Sequence, residues 1–245
     1  MLAGGGTTVS DLKTLIDQPA LFGEAASVAT AHRALAAVDD AALARIGTAR
    51  AAARAAGADP GFYVIDIDAT LVNAHSDKEG AAPNYKRGFG FHPILSFLDA
   101  TGEPLAAKLR PGNAVAHAGA DLVEVLEASL AQLPVDPAVR EMVMRSDSAG
   151  LNHVLLDSCK ERNVRFVVGH DLTEPIRKAL WDLPTCRWVP AVSPDGSEES
   201  EHAEVAEITD LLGLSRWPEG IRAIARREPA HPGAQLNFTD IDGRR

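Results

Sequence analysis

Three aspartates are the residues of this chain best suited to joint chemistry. Asp66 and Asp68 lie two positions apart near the end of an apolar, β-branched run, and residues two apart on a strand point to the same face. Asp147 ends a second predicted strand further along the chain. In α/β sheets, ligands gather at the carboxyl ends of strands. We therefore expect these carboxylates to converge at one edge of a sheet.

The donor atoms of this cluster indicate a hard divalent cation. Carboxylate oxygens, with no cysteine or histidine at metal-binding spacing, favour Mg²⁺ or Mn²⁺ over zinc. The alternative is a merely solvated acid cluster. However, the strand is apolar on both sides of Asp66, which implies burial, and a buried carboxylate needs a cation or hydrogen-bond donors. Sites of this kind serve phosphoryl chemistry.

The hydrophobic patterns predict an α/β fold, a mixed sheet flanked by helices, around these aspartates. The predicted elements are a strand at 62–72, a hairpin of strands at 90–99 and 103–110, a helix at 114–133, a strand at 139–145, a helix at 151–162, a strand at 164–169 and a helix from Pro175. This order places Asp68 and Asp147 at the ends of two strands of one sheet.

Two further segments flank this core. Residues 1–60 are predicted to be helical, because 24–58 are rich in alanine with aliphatic residues at helical spacing and an N-cap at Asp39. Residues 191–245 combine an acidic stretch, interpreted as a solvated helix face, with predicted strands at 220–227 and 234–240. The sequence thus predicts three parts: 1–60, 61–190 and 191–245.

The composition argues against several classes of protein. The chain has 245 residues with 34 acidic and 24 basic side chains, a net charge of −10, which disfavours binding of nucleic acid through bulk charge. No apolar stretch approaches the roughly 18 residues of a membrane span, and the N-terminus lacks the features of a signal peptide. Cys159 and Cys186 form no metal-binding pair. We expect a cytoplasmic protein without membrane contact.

The residues around Asp68 resemble a phosphatase motif. The run Val64–Val72 contains D-x-D-x-T and is similar to the first motif of haloacid-dehalogenase-like phosphatases, in which Asp66 would be the nucleophile and Asp68 the general acid. That family also requires a lysine and a late acidic pair, and Gly169–Asp171 is a poor match to that pair.

Most of the chain resembles the DDE-type insertion-sequence transposases of bacteria. The resemblance extends from about Asp17 to the last residue and is most specific in four runs: 65–81 (IDIDATLVNAHSDKEGA), 85–113 (YKRGFGFHPILSFLDATGEPLAAKLRPGN), 145–150 (RSDSAG) and 231–243 (HPGAQLNFTDIDG). It implies a ribonuclease H-like catalytic core at 61–190, incomplete here, and a partial β-rich insertion at 191–245. The implied activity is cleavage and strand transfer in DNA transposition, with transposon ends as partner, and is compatible with a homodimer.

The resemblance also assigns roles to the aspartates. Asp68, in a D-x-T setting with Thr70, would be the first catalytic carboxylate, and Asp147 the second. Both would hold Mg²⁺ or Mn²⁺ in a two-metal reaction on DNA phosphodiesters, with Asp66 as a reserve ligand. The family's third acid, a glutamate on a helix beyond the insertion, has no counterpart in the sequence.

We therefore expect a fragment truncated at both ends that binds DNA weakly and is inactive alone. Glu204 and Glu207, on a predicted helix, are candidates for the third acid, although a solvated face is the preferred role. Three hypotheses stay open: an active nuclease core, a non-catalytic remnant that binds metal, DNA or a partner, and the phosphatase.

Several basic residues and histidines complete the set of candidates. Two interpretations stay open for Lys86, Arg87, Lys108 and Arg110: a local basic patch able to meet DNA phosphates, and ordinary surface solvation. His75 and Lys78 follow the first acids closely, and both phosphate contact and simple exposure stay open for them. His92, inside an apolar run, is predicted to be a hydrogen-bonded core histidine.

Overall fold

The computed structural model describes residues 5–6, 8–57, 59–192, 196 and 199–229. These form two compact units. One contains the described residues up to 59 together with Leu130–Pro134, and the other the described residues of 60–129 and from 135 onwards. None of the helices in this described part has the length and apolar content needed to cross a bilayer.

The first unit is helical, as predicted. Its helices are α1 (Lys13–Ile16), α2 (Pro19–Phe22), α3 (Val28–Ala36) and α4 (Asp40–Ala55). The N-cap of α4 is Asp39, whose side chain accepts a hydrogen bond from the Ala42 amide at 2.8 Å. Ser27 caps α3 through the Thr30 amide in the same way. Side-chain capping of free N–H groups therefore fixes where both longer helices begin.

The second unit contains all the described strands and three helices. The strands are β1 (Tyr63–Ala69), β2 (Val72–Asn73), β3 (Ala82–Pro83), β4 (Phe89–Phe91), β5 (Ile94–Leu98), β6 (Glu103–Lys108), β7 (Met142–Ser146), β8 (Arg165–Val168), β9 (Val189–Val192), β10 (Glu199–Glu207) and β11 (Ile224–Arg227). The helices are α5 (Gly119–Leu130), α6 (His153–Glu161) and α7 (Glu174–Trp181).

The main sheet has five strands in the order β6-β5-β1-β7-β8. β5 runs antiparallel to both β1 and β6, whereas β7 runs parallel to both β1 and β8. Helix α5 lies between β6 and β7, and α6 connects β7 to its parallel neighbour β8, as expected for a parallel pair. The mixed α/β sheet flanked by helices, which the hydrophobic patterns predict, is confirmed.

One face of β1 contributes residues to the hydrophobic core. Tyr63, Ile65 and Ile67 are each at most 1% exposed, so every second residue of β1 is buried, as the alternation of strand side chains requires. Leu126 of α5 and Leu156 of α6 are fully buried as well. The alternate face of β1 therefore carries Asp66 and Asp68 away from the core.

A small three-stranded sheet, order β2-β4-β3, was not predicted. It lies between β1 and β5 in sequence. The strand predicted at 90–99 is divided into β4 and β5, because His92 and Pro93 interrupt the pairing. A side chain at Gly112 would overlap the carbonyl oxygens of Ala82 and Gly90, so glycine there lets the segment after β6 pack closely on the small sheet.

A third sheet, order β11-β10-β9, corrects one prediction. Glu204 and Glu207 lie on strand β10 and not on a helix. Glu204 is opposite Arg227 and forms an ion pair with it at 2.9 Å, while Glu207 pairs with Arg222 at 2.6 Å. Pairing across the strands compensates the acidic charge of this segment. The strand predicted at 234–240 lies outside the described residues.

Candidate active site

Asp68 and Asp147 are side by side at the carboxyl ends of adjacent parallel strands. In the register of β1 with β7, Asp66 is the partner of Arg145. Asp68 and Asp147 each follow these partners by two residues, and the Asp147 carboxylate is near enough to act on the charge of Asp68. β1 also contacts the 3-10 turn Ser148–Gly150 that Asp147 begins. The structure thus brings together the two aspartates to which the resemblance gives catalytic roles.

The turn after β7 orients the Asp147 carboxylate. Asp147 is the N-cap of the turn, and its Oδ1 accepts a hydrogen bond from the Ala149 amide at 2.8 Å. A side chain at Gly150 would overlap that of Ser146, so the turn can close tightly only with glycine there. One carboxylate oxygen is therefore held by the backbone, and this fixes the direction of the other.

The electrostatics of the pair favour a bound cation. Partial desolvation raises the pKa of Asp68, and the nearby Asp147 carboxylate raises this pKa further. The Ala69 amide and His92 act in the opposite direction. Within the described part of the chain, no lysine or arginine forms an ion pair with Asp68 or Asp147. Two adjacent carboxylates without a basic partner repel each other, and a divalent cation would relieve that repulsion.

Asp66 has a different environment from Asp68. Arg145 Nε donates to Asp66 Oδ1 at 2.6 Å and Arg145 Nη2 to Oδ2 at 2.8 Å, a bidentate geometry that strengthens the pair. Arg145 Nη2 also bonds Asp99 at 2.7 Å. These contacts raise the pKa of Arg145, with the Asp66 bond as the largest cause. Both oxygens of Asp66 therefore already have a cationic partner.

His92 is a hydrogen-bonded core histidine, as predicted. The residue is 1% exposed, and its Nδ1 lies 2.8 Å from the carbonyl oxygen of Ala114. Because a carbonyl can only accept, Nδ1 carries the proton. Arg110 holds the same region, since its Nε donates to the His92 carbonyl at 2.9 Å and its Nη1 to the Val115 carbonyl at 2.8 Å.

The predicted basic patch is wrong for two of its four members. Arg110 is 5% exposed and also pairs with Asp121 at 3.2 Å. Lys108 pairs with Asp121 at 2.9 Å and with Glu124. The charges of both residues are therefore compensated by carboxylates of α5. Lys86 and Arg87 are exposed on the turn between β3 and β4.

His75 and Lys78 are exposed on the segment between β2 and β3. The His75 ring lies 5.5 Å from the ring of Phe89. Lys78 lies between Asp77 and Glu79 in the sequence, so this stretch has no net positive charge.

The carboxylates of the described residues near Asp68 and Asp147 do not form a complete metal site. In the part of the chain that the structure describes, no group of three or more histidine, cysteine, aspartate or glutamate side chains is arranged to hold a metal ion. Asp68 and Asp147 supply two carboxylates, and oxygen ligands of this type fit Mg²⁺ or Mn²⁺. The pair is therefore compatible with a divalent cation but forms only part of a complete ligand set.

Comparison with known families agrees with this geometry. The family model for Transposase DDE domain group 1 matches residues 1–241. The chain belongs to this family. Members of this family generally use divalent metal ions. Comparison with curated protein sequences found no match.

A solved structure is also similar to this DDE transposase domain. It is the cryoEM structure of the simian T-cell lymphotropic virus intasome in complex with PP2A regulatory subunit B56 gamma, at 13% sequence identity and a TM-score of 0.31. The match covers 49% of this chain and 36% of that chain.

Sequence reasoning missed the partner of Asp66. Arg145 comes two residues before Asp147 in the RSDSAG run and lies on β7, just before the turn that Asp147 begins. An arginine at this position was the available signal. It became interpretable only with the parallel register of β1 and β7.

Proposed function

We propose that the parent activity of this domain is metal-dependent cleavage and strand transfer of DNA in transposition. The observation that carries the proposal is the side-by-side position of Asp68 and Asp147 at the ends of β1 and β7, in a chain of the DDE transposase family. Residues 61–190 would be the catalytic core, with 1–60 as a helical segment and 191–245 as part of an insertion. The DNA substrate would be the transposon ends. Cytoplasmic location and homodimer formation stay predictions.

Each residue of the site has a defined task in this proposal. Asp68 and Asp147 would hold the Mg²⁺ or Mn²⁺. When bound, such ions activate the attacking hydroxyl and stabilise the leaving oxygen of a phosphodiester. The Ala149 amide keeps the Asp147 carboxylate in one orientation. Arg145 engages Asp66, so that Asp66 stays out of the ligand set.

The described residues provide fewer carboxylates than the family resemblance implies. Glu204 and Glu207, the candidates for the third acid, each form an ion pair with an arginine of the same three-stranded region. A two-metal site that lacks one ligand holds an ion poorly and loses charge stabilisation of the transition state. We therefore propose that the 245-residue chain does not complete transposition alone and nicks DNA slowly.

The test combines metal binding with nicking. We expect Mn²⁺ binding, measured by calorimetric titration, to be lost in Asp68→Asn and in Asp147→Asn. Binding should persist in Asp157→Asn, a control that removes the same charge at an exposed position of α6. Slow nicking of supercoiled plasmid should follow the same pattern.

Two results would contradict the proposal. The first is equal Mn²⁺ affinity in all four proteins. The second is hydrolysis of p-nitrophenyl phosphate that disappears in Asp66→Asn and persists in Asp147→Asn, since that pattern would favour the phosphatase.

A further inference from the structure

Lys86 and Arg87 differ from most cations of the second unit. Ten lysines and arginines there pair with carboxylates: Lys108, Arg110, Arg145, Arg162, Arg165, Arg177, Arg187, Arg222, Arg226 and Arg227. By contrast, no described carboxylate forms an ion pair with Lys86 or Arg87, and both are exposed. Two adjacent positive charges therefore remain uncompensated in a chain whose net charge is −10.

The turn that carries them is held by a buried asparagine. Asn84 Oδ1 accepts hydrogen bonds from the amides of Lys86 at 3.0 Å and Gly88 at 2.9 Å. Asn84 Nδ2 donates to Asn73 Oδ1 at 3.1 Å. Because these bonds fix the backbone from 84 to 88, the two cations project from an ordered tip.

The backbone of Arg87 has an unusual conformation. Its φ of 63° is in the left-handed region, which costs a side-chain-bearing residue more than glycine. An arginine at a position better suited to glycine points to a use for its side chain.

Tyr85 extends the tip with an aromatic surface. The residue is 70% exposed, and Lys86 Nζ lies 5.6 Å from the centre of its ring. An exposed aromatic ring beside free cations is the combination that binds single-stranded nucleic acid, through base stacking and phosphate contacts.

A ring contact and a backbone hydrogen bond connect the tip to the segment that follows Asp68. The Tyr85 ring is 5.9 Å from the ring of His92. Pro93, the next residue after His92, accepts a hydrogen bond from the Thr70 amide at 3.0 Å. Thr70 follows Asp68 by two residues, so these two contacts link the tip to the chain next to the site.

We propose that Tyr85, Lys86 and Arg87 form a DNA-binding tip that holds the strand beside the Asp68–Asp147 pair. Lys86 and Arg87 contact backbone phosphates, and Tyr85 stacks on a base exposed next to the cleavage point. The placement of the DNA rests on the proposed function. The tip is thus a local positive surface for DNA in a chain whose net charge is negative.

The test measures how DNA affinity depends on salt. Fluorescence anisotropy of a labelled duplex with a single-stranded overhang would be recorded from 50 to 200 mM salt, without divalent ions. Each phosphate contact contributes about 0.9 to the slope of log affinity against log salt. We expect Lys86→Gln with Arg87→Gln to reduce this slope by about 1.8, which amounts to about twelvefold less change in affinity over that range.

Two sets of variants serve as controls. Lys178→Gln with Arg216→Gln removes the same charge at exposed positions where no described carboxylate forms an ion pair with the cation, and should keep the wild-type slope. Lys86→Arg with Arg87→Lys keeps both charges at the tip and should also keep it. Tyr85→Ala should weaken binding to the overhang by at least about fivefold, while Tyr85→Phe retains the ring and the affinity.

The outcomes separate this inference from the proposed function. An equal change of slope in both Gln pairs, or no change in either, would overturn the DNA-binding tip. If Mn²⁺ binding still depended on Asp68 and Asp147, the proposed function would survive that result. Conversely, slope loss confined to the Lys86/Arg87 pair would support the tip even if Mn²⁺ bound equally to every aspartate variant.

Discussion

Two aspartates on one strand should respond to the same substitution with opposite changes in stability. Asp66→Asn removes a carboxylate that is paired with Arg145 through both oxygens. Asp68→Asn removes a carboxylate whose pKa is raised by desolvation and by Asp147. In metal-free buffer near pH 7 we therefore expect Asp66→Asn to lower the free energy of unfolding and Asp68→Asn to raise it.

The magnitudes follow from exposure. The side chains of Asp66 and Arg145 are 30% and 50% exposed, so solvent screens the pair, and exposed pairs are worth roughly 0.2–1 kcal/mol. The bidentate geometry favours the upper end of that range. A loss of about 1 kcal/mol corresponds to a fall in Tm of about 2–4 °C for a domain of this size. The gain in Asp68→Asn should be a few tenths of a kcal/mol, because like-charge repulsion between exposed groups is also screened.

The dependence of stability on pH is an independent test of the sign of the Asp68 contribution to the free energy of unfolding. The pKa of Asp68 is raised in the folded state, which means that folding disfavours the ionised carboxyl. Ionised Asp68 therefore lowers the free energy of unfolding at pH values above that pKa. This destabilising effect disappears as the pH falls below the ordinary value of 3.8. The Tm advantage of Asp68→Asn should therefore shrink as the solution is acidified from pH 7.

Thermal unfolding at several pH values, with EDTA present, is the assay. A double-mutant cycle of Asp66→Asn with Arg145→Gln should give a coupling energy of about 1 kcal/mol. If Asp68→Asn destabilised the protein at pH 7, or if the cycle gave no coupling, the electrostatic assignment of the two aspartates would be refuted.

Three further predictions concern metal, backbone and core. Mg²⁺ or Mn²⁺ at a hundred times its Kd should raise the free energy of unfolding by about 2.7 kcal/mol; this gain should be absent in Asp68→Asn and reversed by EDTA, as followed by thermal unfolding. Gly112→Ala should cost about 1–3 kcal/mol because its Cβ would overlap two carbonyl oxygens, and a normal Tm would contradict the close packing described here. Leu156→Ala, at a position with 0% exposure, should cost about 2–5 kcal/mol in urea unfolding, and a loss below 1 kcal/mol would show that the site is not core.

The central part of the fold could be predicted because its signals are local. The apolar runs of β1 and β7 are short, and each is followed by an aspartate at or beyond its end. The boundaries were less certain. The strand predicted from Val139 begins at Met142, because Asp136 organises a turn through the amides of Ala138 and Val139.

The errors came from contacts between distant residues. The β10 segment is rich in alanine and glutamate, which favour helix, yet the pairing of Glu204 with Arg227 holds it in a sheet. Arg110 reads as a surface cation in sequence, but the carbonyl groups of His92 and Val115 bind it inside the protein. No local pattern reports such partners, since they come from other segments of the chain.

The parallel pairing of β1 with β7 also determines when the site can exist during folding. Asp68 and Asp147 become neighbours only after β5, β6 and α5, which separate these strands in sequence, have been accommodated in the connection. The entropy cost of closing such a long connection comes before the favourable free energy of strand pairing. Non-local contacts of this kind therefore form slowly. During synthesis, the pair cannot form until Asp147 has left the ribosome. A cation bound by this pair would therefore slow unfolding of the finished domain without accelerating its folding.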